Sequence, residues 1–154
     1  MNFPKRKPNR LPNYDYSRSG AYFITVCTKD KACIFWDDAG ATIGRPQLSQ
    51  YGEIVNSAIL NIETLYPYIR VDKYVVMPNH VHILLMCDNG RAMHAPTIST
   101  VIQQFKGAVS KTVGSPVWQK SFHDHIIRNQ QDYNNIWTYI DTNPLKWEND
   151  CFYL

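Results

Sequence analysis

Apolar and polar positions change their period several times along the chain, and each change marks an element. From Ala21 to Thr28 (AYFITVCT) aromatic and β-branched residues crowd together, Lys29-Asp30-Lys31 interrupts them, and Cys33-Ile34-Phe35-Trp36 resumes; the pattern predicts a β-hairpin. Asp37 to Pro46, with Gly40, Gly44 and Pro46, predicts a loop. Beyond Ser49 the period lengthens. Ile54, Val55, Ala58, Ile59, Ile62 and Leu65 recur at helical spacing, with Ser49 as N-cap and Pro67 as terminator. Two strands follow, Ile69 to Met77 and Val81 to Cys87, joined through a tight Pro78-Asn79 element, and Asp88 to Pro96 reads as a loop. Ile98, Val101, Ile102, Phe105 and Val109 then predict a second amphipathic helix between a Thr97 cap and Gly114. Val117 to Phe122 and His125 to Arg128 read as short strand pieces. Asn129 caps a third helix whose apolar stripe is Tyr133, Ile136, Trp137 and Ile140, and Asn143-Pro144 ends it.

This order of elements fits an α+β fold, one antiparallel sheet covered by helices, better than a parallel doubly wound sheet. At 154 residues the chain suits one folded domain, and the first nineteen residues stand apart from it in composition. Lys5, Arg6, Lys7, Arg10 and Arg18 face a single acid there, Asp15, and are interleaved with Pro4, Pro8, Pro12, Tyr14 and Tyr16. The expected division is therefore a basic arm, residues 1–19, and a domain, residues 20–154. A basic, aromatic, extended arm suits a nucleic-acid backbone and unstacked bases, and equally suits a solvated tail.

Composition narrows the class further. With 44% hydrophobic and 19% charged residues, the chain has enough apolar surface to fold, which excludes wholesale disorder. The longest apolar runs, such as Val81 to Cys87, fall far short of the roughly 20 residues a membrane span needs. The basic N-terminus lacks the apolar stretch of a secretory signal, so a cytoplasmic location is expected. Cys27, Cys33, Cys87 and Cys151 form no C-x-x-C pair and read as buried free thiols. A net charge of +3 permits an anionic partner without requiring one.

The seven glycines build neither a phosphate-binding G-x-x-x-x-G-K-[ST] loop nor a G-x-G-x-x-G turn, and no G-x-S-x-G elbow occurs. Nucleotide hydrolysis, dinucleotide redox and that form of serine hydrolysis are unsupported. The positive signal is His80-Val81-His82 at the start of a strand, where alternation puts both imidazoles on one face, able to grip one metal ion. Taken alone, such a pair is more often a hydrogen-bonded feature of a core. His123-Asp124-His125 is a rival pair, ranked lower because its middle residue is charged. His125 with Arg128 suits either a phosphate contact or a polar strand edge. On the third helix Tyr139 and Asn143 lie one turn apart on a flank beside the core stripe, so a phenol and an amide oxygen can face the same ligand. Each alone also has a bland role, Tyr139 in amphipathic packing and Asn143 as a turn residue.

Taken in order, Asn9-Arg10-Leu11-Pro12-x-Tyr14-Asp15-Tyr16, Met77-Pro78-Asn79-His80-Val81-His82, Phe105-Lys106, His125-Ile126-Ile127-Arg128-Asn129 and Tyr139-Ile140-x-x-Asn143-Pro144 resemble the REP-associated tyrosine transposases. These are single-tyrosine members of the HUH nuclease superfamily, related to the IS200-like insertion-sequence transposases. The resemblance spans about Pro8 to Trp147. It implies a ferredoxin-like or RRM-like antiparallel core with the catalytic tyrosine on the C-terminal helix. It makes His80, His82 and Asn143 ligands of Mg²⁺ or Mn²⁺ and Tyr139 the nucleophile; insertion-sequence relatives tend to carry glutamine where this chain has Asn143. The implied reaction is cutting and rejoining of single-stranded or hairpin DNA, a repeated palindrome, through a 5′-phosphotyrosine. The resemblance further implies no nucleotide cofactor, no membrane and a nucleoid-associated place in the cytoplasm. Arg6, Arg10, Tyr14, Tyr16, Lys106, Lys111, His125 and Arg128 are candidate DNA contacts. The alternatives are a protein that binds DNA hairpins without cutting them, or a structural domain with H-x-H in its core. Monomer and homodimer both remain open.

Overall fold

The computed structural model describes residues 20–37, 47–88 and 97–149. Four strands, β1 (Gly20–Cys27), β2 (Ile69–Val76), β3 (His80–Cys87) and β4 (His123–Ile127), form one sheet in the order β2-β3-β1-β4 with every pair antiparallel. The α+β expectation of a single antiparallel sheet under helices therefore describes the molecule.

Alternation along the strands divides the sheet into two apolar faces. Tyr22, Ile24, Val26, Val81, Ile83, Leu85 and Ile126 point one way into the main core. Helix α1 (Gln50–Leu60), its short continuation α2 (Ile62–Leu65) and α3 (Ile98–Val113) cover that face, contributing Val55, Ile59, Ile62, Val101, Ile102, Phe105 and Val109. The opposite face carries a smaller cluster, Leu84 with Ile136 and Ile140 of α4 (Gln130–Thr142), flanked by Phe23, Val75, Ile127 and Tyr133. A central sheet thus separates two helical layers, and the histidine face lies under α4.

Helix starts follow from caps written locally. Ser49 Oγ accepts from Gly52 N–H, Thr97 Oγ1 from Thr100 N–H and Asn129 Oδ1 from Asp132 N–H, each satisfying one orphan donor of a first turn. Gly114, at φ +88°, ends α3 in the left-handed conformation that glycine adopts without a Cβ penalty.

Four expectations need correction. The hairpin from Ala21 to Trp36 does not form: Lys29–Lys31 is a 3₁₀ turn in which Asp30 and Lys31 both have positive φ, and β1 finds its partners in β3 and β4. The following segment instead passes across the end of the sheet, where Phe35 N–H bonds to Pro78 O and Trp36 Nε1–H bonds to Val76 O. Val117 to Phe122 is not a strand; it makes a single bridge, Thr28 to Trp118, and packs Trp118 on Phe35 and Phe105. Trp137 is not core, because α4 buries only the narrow stripe of Ile136 and Ile140. Cys33 is exposed, whereas Cys27 and Cys87 are buried as expected. The arm 1–19, residues 38–46 of the expected loop, and Cys151 lie outside the described residues.

Candidate active site

Strand register decides what surrounds the two histidines. Across the sheet His80 stands opposite Cys27, His82 opposite Thr25 and Val75, and Leu84 opposite Phe23, so these side chains share the face under α4. Both imidazoles are essentially inaccessible. His80 Nδ1 lies 2.8 Å from Asn79 Oδ1, to which it donates, and His82 Nδ1 lies 2.8 Å from Thr25 Oγ1. With each Nδ1 held by a neighbouring oxygen, the two Nε2 atoms converge at 3.1 Å. Burial, and then repulsion from His80, hold the His82 pKa well below its usual value, so that ring is neutral at neutral pH.

This donor set fits a divalent ion. Two nitrogens about 2.1 Å from one ion at roughly a right angle stand about 3 Å apart, close to the observed spacing. Ligating imidazoles generally carry their second nitrogen on an oxygen partner, as both do here. Asn143, one turn beyond Tyr139 and still in right-handed helical conformation, is buried, and its Oδ1 has no hydrogen-bond partner. A buried, unsatisfied amide oxygen costs on the order of 1–3 kcal/mol, which a cation at that oxygen would offset. Two imidazoles and an amide add no negative charge, so an ion held by them would keep its full charge toward phosphate oxygens.

The Tyr139 ring lies 5.3 Å from the His82 ring and meets Phe23 edge-on at 6.1 Å, with 39% of the residue still exposed. The Trp147 ring lies 6.0 Å from His80 and 6.2 Å from Trp36. The fold thus brings His80, His82 and Tyr139 together, and sets Asn143 on the same helical flank.

Helix α4 is fastened over this face by β2. Between Val71 and Lys73 the register with β3 shifts, so that Asp72 and Lys73 together oppose Leu84 in a β-bulge. Both side chains then reach α4. Tyr133 Oη donates to Asp72 Oδ2 at 2.8 Å, and Lys73 Nζ bonds Asp141 Oδ1 at 2.7 Å while lying 4.1 Å from the Trp137 ring centre. Burial, then the hydrogen bond to Asp72, raise the Tyr133 pKa above its ordinary value.

The remaining candidates separate. His123 and His125 share the face of the His80/His82 pair, beside Thr25 and Phe23, and both are exposed. His125 Nε2 pairs with Asp132 in the first turn of α4 at 2.7 Å, which ties β4 to the start of that helix. Arg128 is exposed just beyond β4. Lys106 must be corrected as a strand contact: it is buried, and Nζ donates to Gln119 O at 2.7 Å. Lys111 is exposed on α3, across the sheet from the histidines. Arg6, Arg10, Tyr14 and Tyr16 lie outside the described residues. Thr25, Asn79 and Trp147 escape sequence reasoning. Only Asn79, adjacent to His80, carried a local signal, and it reads there as a turn residue. No helix among the described residues is long and apolar enough to cross a membrane.

Comparison with known proteins adds independent findings. No family model matches the chain. An uncharacterised protein of Haemophilus influenzae is 34% identical, over 97% of this chain and 93% of its own length. The REP-associated tyrosine transposase of Escherichia coli is 27% identical, over 85% of this chain and 70% of its own. In fold the chain resembles a solved structure of a REP-associated tyrosine transposase bound to a REP hairpin. The TM-score is 0.64 at 22% identity, covering 96% of this chain and 74% of that one.

Proposed function

The chain belongs to the REP-associated tyrosine transposases, and from that premise we propose that it is a metal-dependent endonuclease and strand transferase for single-stranded or hairpin DNA, with Tyr139 as nucleophile. The observation that carries this reading is the convergence of the His80 and His82 Nε2 atoms at 3.1 Å beneath the Tyr139 ring. The DNA partner is inferred from the relative whose solved structure holds a REP hairpin.

His80, His82 and Asn143 would hold Mg²⁺ or Mn²⁺. When bound, the ion supplies Lewis-acid polarisation and a template for phosphate oxygens. The residues of the chain do the rest. Tyr139 Oη attacks the scissile phosphorus, a P–O bond to tyrosine forms, and the P–O3′ bond breaks. The phenol loses one proton and the departing 3′-oxygen gains one, so the products are a 5′-phosphotyrosine and a 3′-OH with no net proton change. One phosphodiester replaces another, and attack by a 3′-OH reverses the link without a nucleoside triphosphate. Phe23 and His82, themselves 5.1 Å apart, together pack against the Tyr139 ring and restrict its approach. Tyr139 stays 39% exposed as a residue, so its ring is reachable from solvent.

The test uses a labelled single-stranded oligonucleotide carrying a palindromic hairpin and its flank, incubated with Mg²⁺ or Mn²⁺. A protein–DNA adduct that survives denaturation, requires metal and disappears in Tyr139→Phe is the expected result. A hairpin that is bound but never cut, in either metal and with several flanks, would replace this reading with a non-cleaving hairpin-binding protein.

A further inference from the structure

Four rings run in sequence across the site: Tyr139 against His82 at 5.3 Å, His82 against His80 at 4.6 Å, and His80 against Trp147 at 6.0 Å. Tyr139 thus packs on the pair at His82, and Trp147 packs on it at His80. We propose that Trp147 positions the substrate strand by stacking on the nucleobase immediately 5′ of the cut. The inference rests on the cleavage reading above.

In an in-line displacement the leaving oxygen departs opposite the attacking one. With the attacking phenol at the His82 end, the leaving nucleotide lies toward the His80 end, where Trp147 is. In a 5′-phosphotyrosine reaction the leaving nucleotide is the one that carries away the 3′-OH. Its base is one sugar removed from a phosphate seated at the histidines, within reach of an indole 6.0 Å from His80. The indole is also a prepared surface. It is half-buried and backed by Trp36, whose Nε1–H is tied to Val76 O at 2.8 Å, so little ordering remains to be done when a base arrives. Base–aromatic stacking is tolerant of base identity, so this contact would fix the position of the cut strand more than its sequence.

The test is a double-mutant cycle between protein and DNA. Oligonucleotides carrying one abasic site, immediately 5′ or immediately 3′ of the cut, are compared with the intact strand for the wild type, Trp147→Ala and Trp147→Phe. For the wild type, the 5′ abasic site should lower kcat/KM about tenfold or more, a typical yield for one stacked base. Trp147→Ala should lose a similar factor on intact DNA and be indifferent to the 5′ abasic site. Trp147→Phe should keep most of the rate and most of the sensitivity, and the 3′ abasic site should affect all three proteins alike. Losses that multiply at the 5′ position would overturn the proposal. Titration with Mn²⁺ alone separates stacking from support of His80, since an unchanged Mn²⁺ affinity in Trp147→Ala is expected and a lost one assigns Trp147 to holding the ligand. The same cycle read as Kd in a Tyr139→Phe background does not depend on cleavage. Coupling there without any wild-type adduct would sink the cleavage reading and leave Trp147 only as a stacking contact to a bound strand, whereas an adduct without coupling would overturn the stack and keep the cleavage reading.

Discussion

Each histidine of the pair is held by one oxygen, and the two oxygens come from different places. Asn79 precedes His80 directly, whereas Thr25 reaches His82 only because β1 and β3 pair in that register. Removing such a partner typically lowers metal affinity by about 10- to 100-fold, because the ring loses both its tautomer and its aim. Thr25→Val keeps the branched shape of a buried strand residue while deleting the hydroxyl. It should therefore fold, bind Mn²⁺ in that range more weakly by calorimetric titration, and form adduct only at raised metal concentration. An unchanged Mn²⁺ affinity would mean that the hydroxyl does not orient the ring. The neighbouring Tyr133 has a different task, since its hydroxyl serves helix placement. Tyr133→Phe deletes the bond to Asp72 and, at a partly exposed site, should cost about 1 kcal/mol in denaturant unfolding. The pH dependence has a definite sign. The folded-state pKa of Tyr133 is raised, so its contribution is complete below the unfolded phenol value of about 10 and is lost as pH rises beyond it. The difference between wild type and Tyr133→Phe should stay constant from pH 7 to 9 and narrow above.

Helices and strands were legible in the sequence to different depths. The starts of α1, α3 and α4 could be read because the cap and the donor it satisfies lie within three residues of each other at Ser49, Thr97 and Asn129. Strand pairing is not local in this way. The segment after β1 has the composition of a hairpin arm, yet β1 pairs with β3 and β4, and Asp30 and Lys31 turn the chain away with positive φ. That redirected segment sets a tight fit with α1. A Cβ on Gly52 would lie 2.2 Å from Phe35 O, a backbone atom held in place by Ser49 N–H. Alanine normally improves a helix interior by up to about 1 kcal/mol over glycine. Gly52→Ala should reverse that sign and destabilise the protein by roughly 1–3 kcal/mol, through the shift forced on residues 32–36. Denaturant midpoints with an unchanged m-value would measure it; a gain in stability would show that the approach of Phe35 is not rigid.

At the scale of the whole molecule, the sequence carried the chemistry of the site but not its assembly. Alternation put His80 and His82 on one face, and the helical wheel put Tyr139 and Asn143 on one flank. Neither says that the face and the flank meet, because that depends on Asp72 and Lys73 sharing a bulge and fastening α4 to β2. Lys106 follows the same logic: its spacing on α3 is visible in sequence, while its burial against Gln119 O is a property of the packed layers. The meeting of face and flank within one chain has a consequence for stoichiometry. Tyr139 already lies 5.3 Å from His82 of its own chain, and the small cluster of Leu84, Ile136 and Ile140 holds α4 there. A site complete in one chain predicts that mixing Tyr139→Phe with His80→Ala restores no adduct, because neither chain offers the other what it lacks. Adduct yield per wild-type chain should likewise be independent of dilution. Recovery on mixing would mean instead that α4 leaves its own sheet and delivers Tyr139 to a second copy. Ile140→Ala, which weakens the seat of α4, should then increase the recovery, whereas in a one-chain site it can only lower wild-type activity.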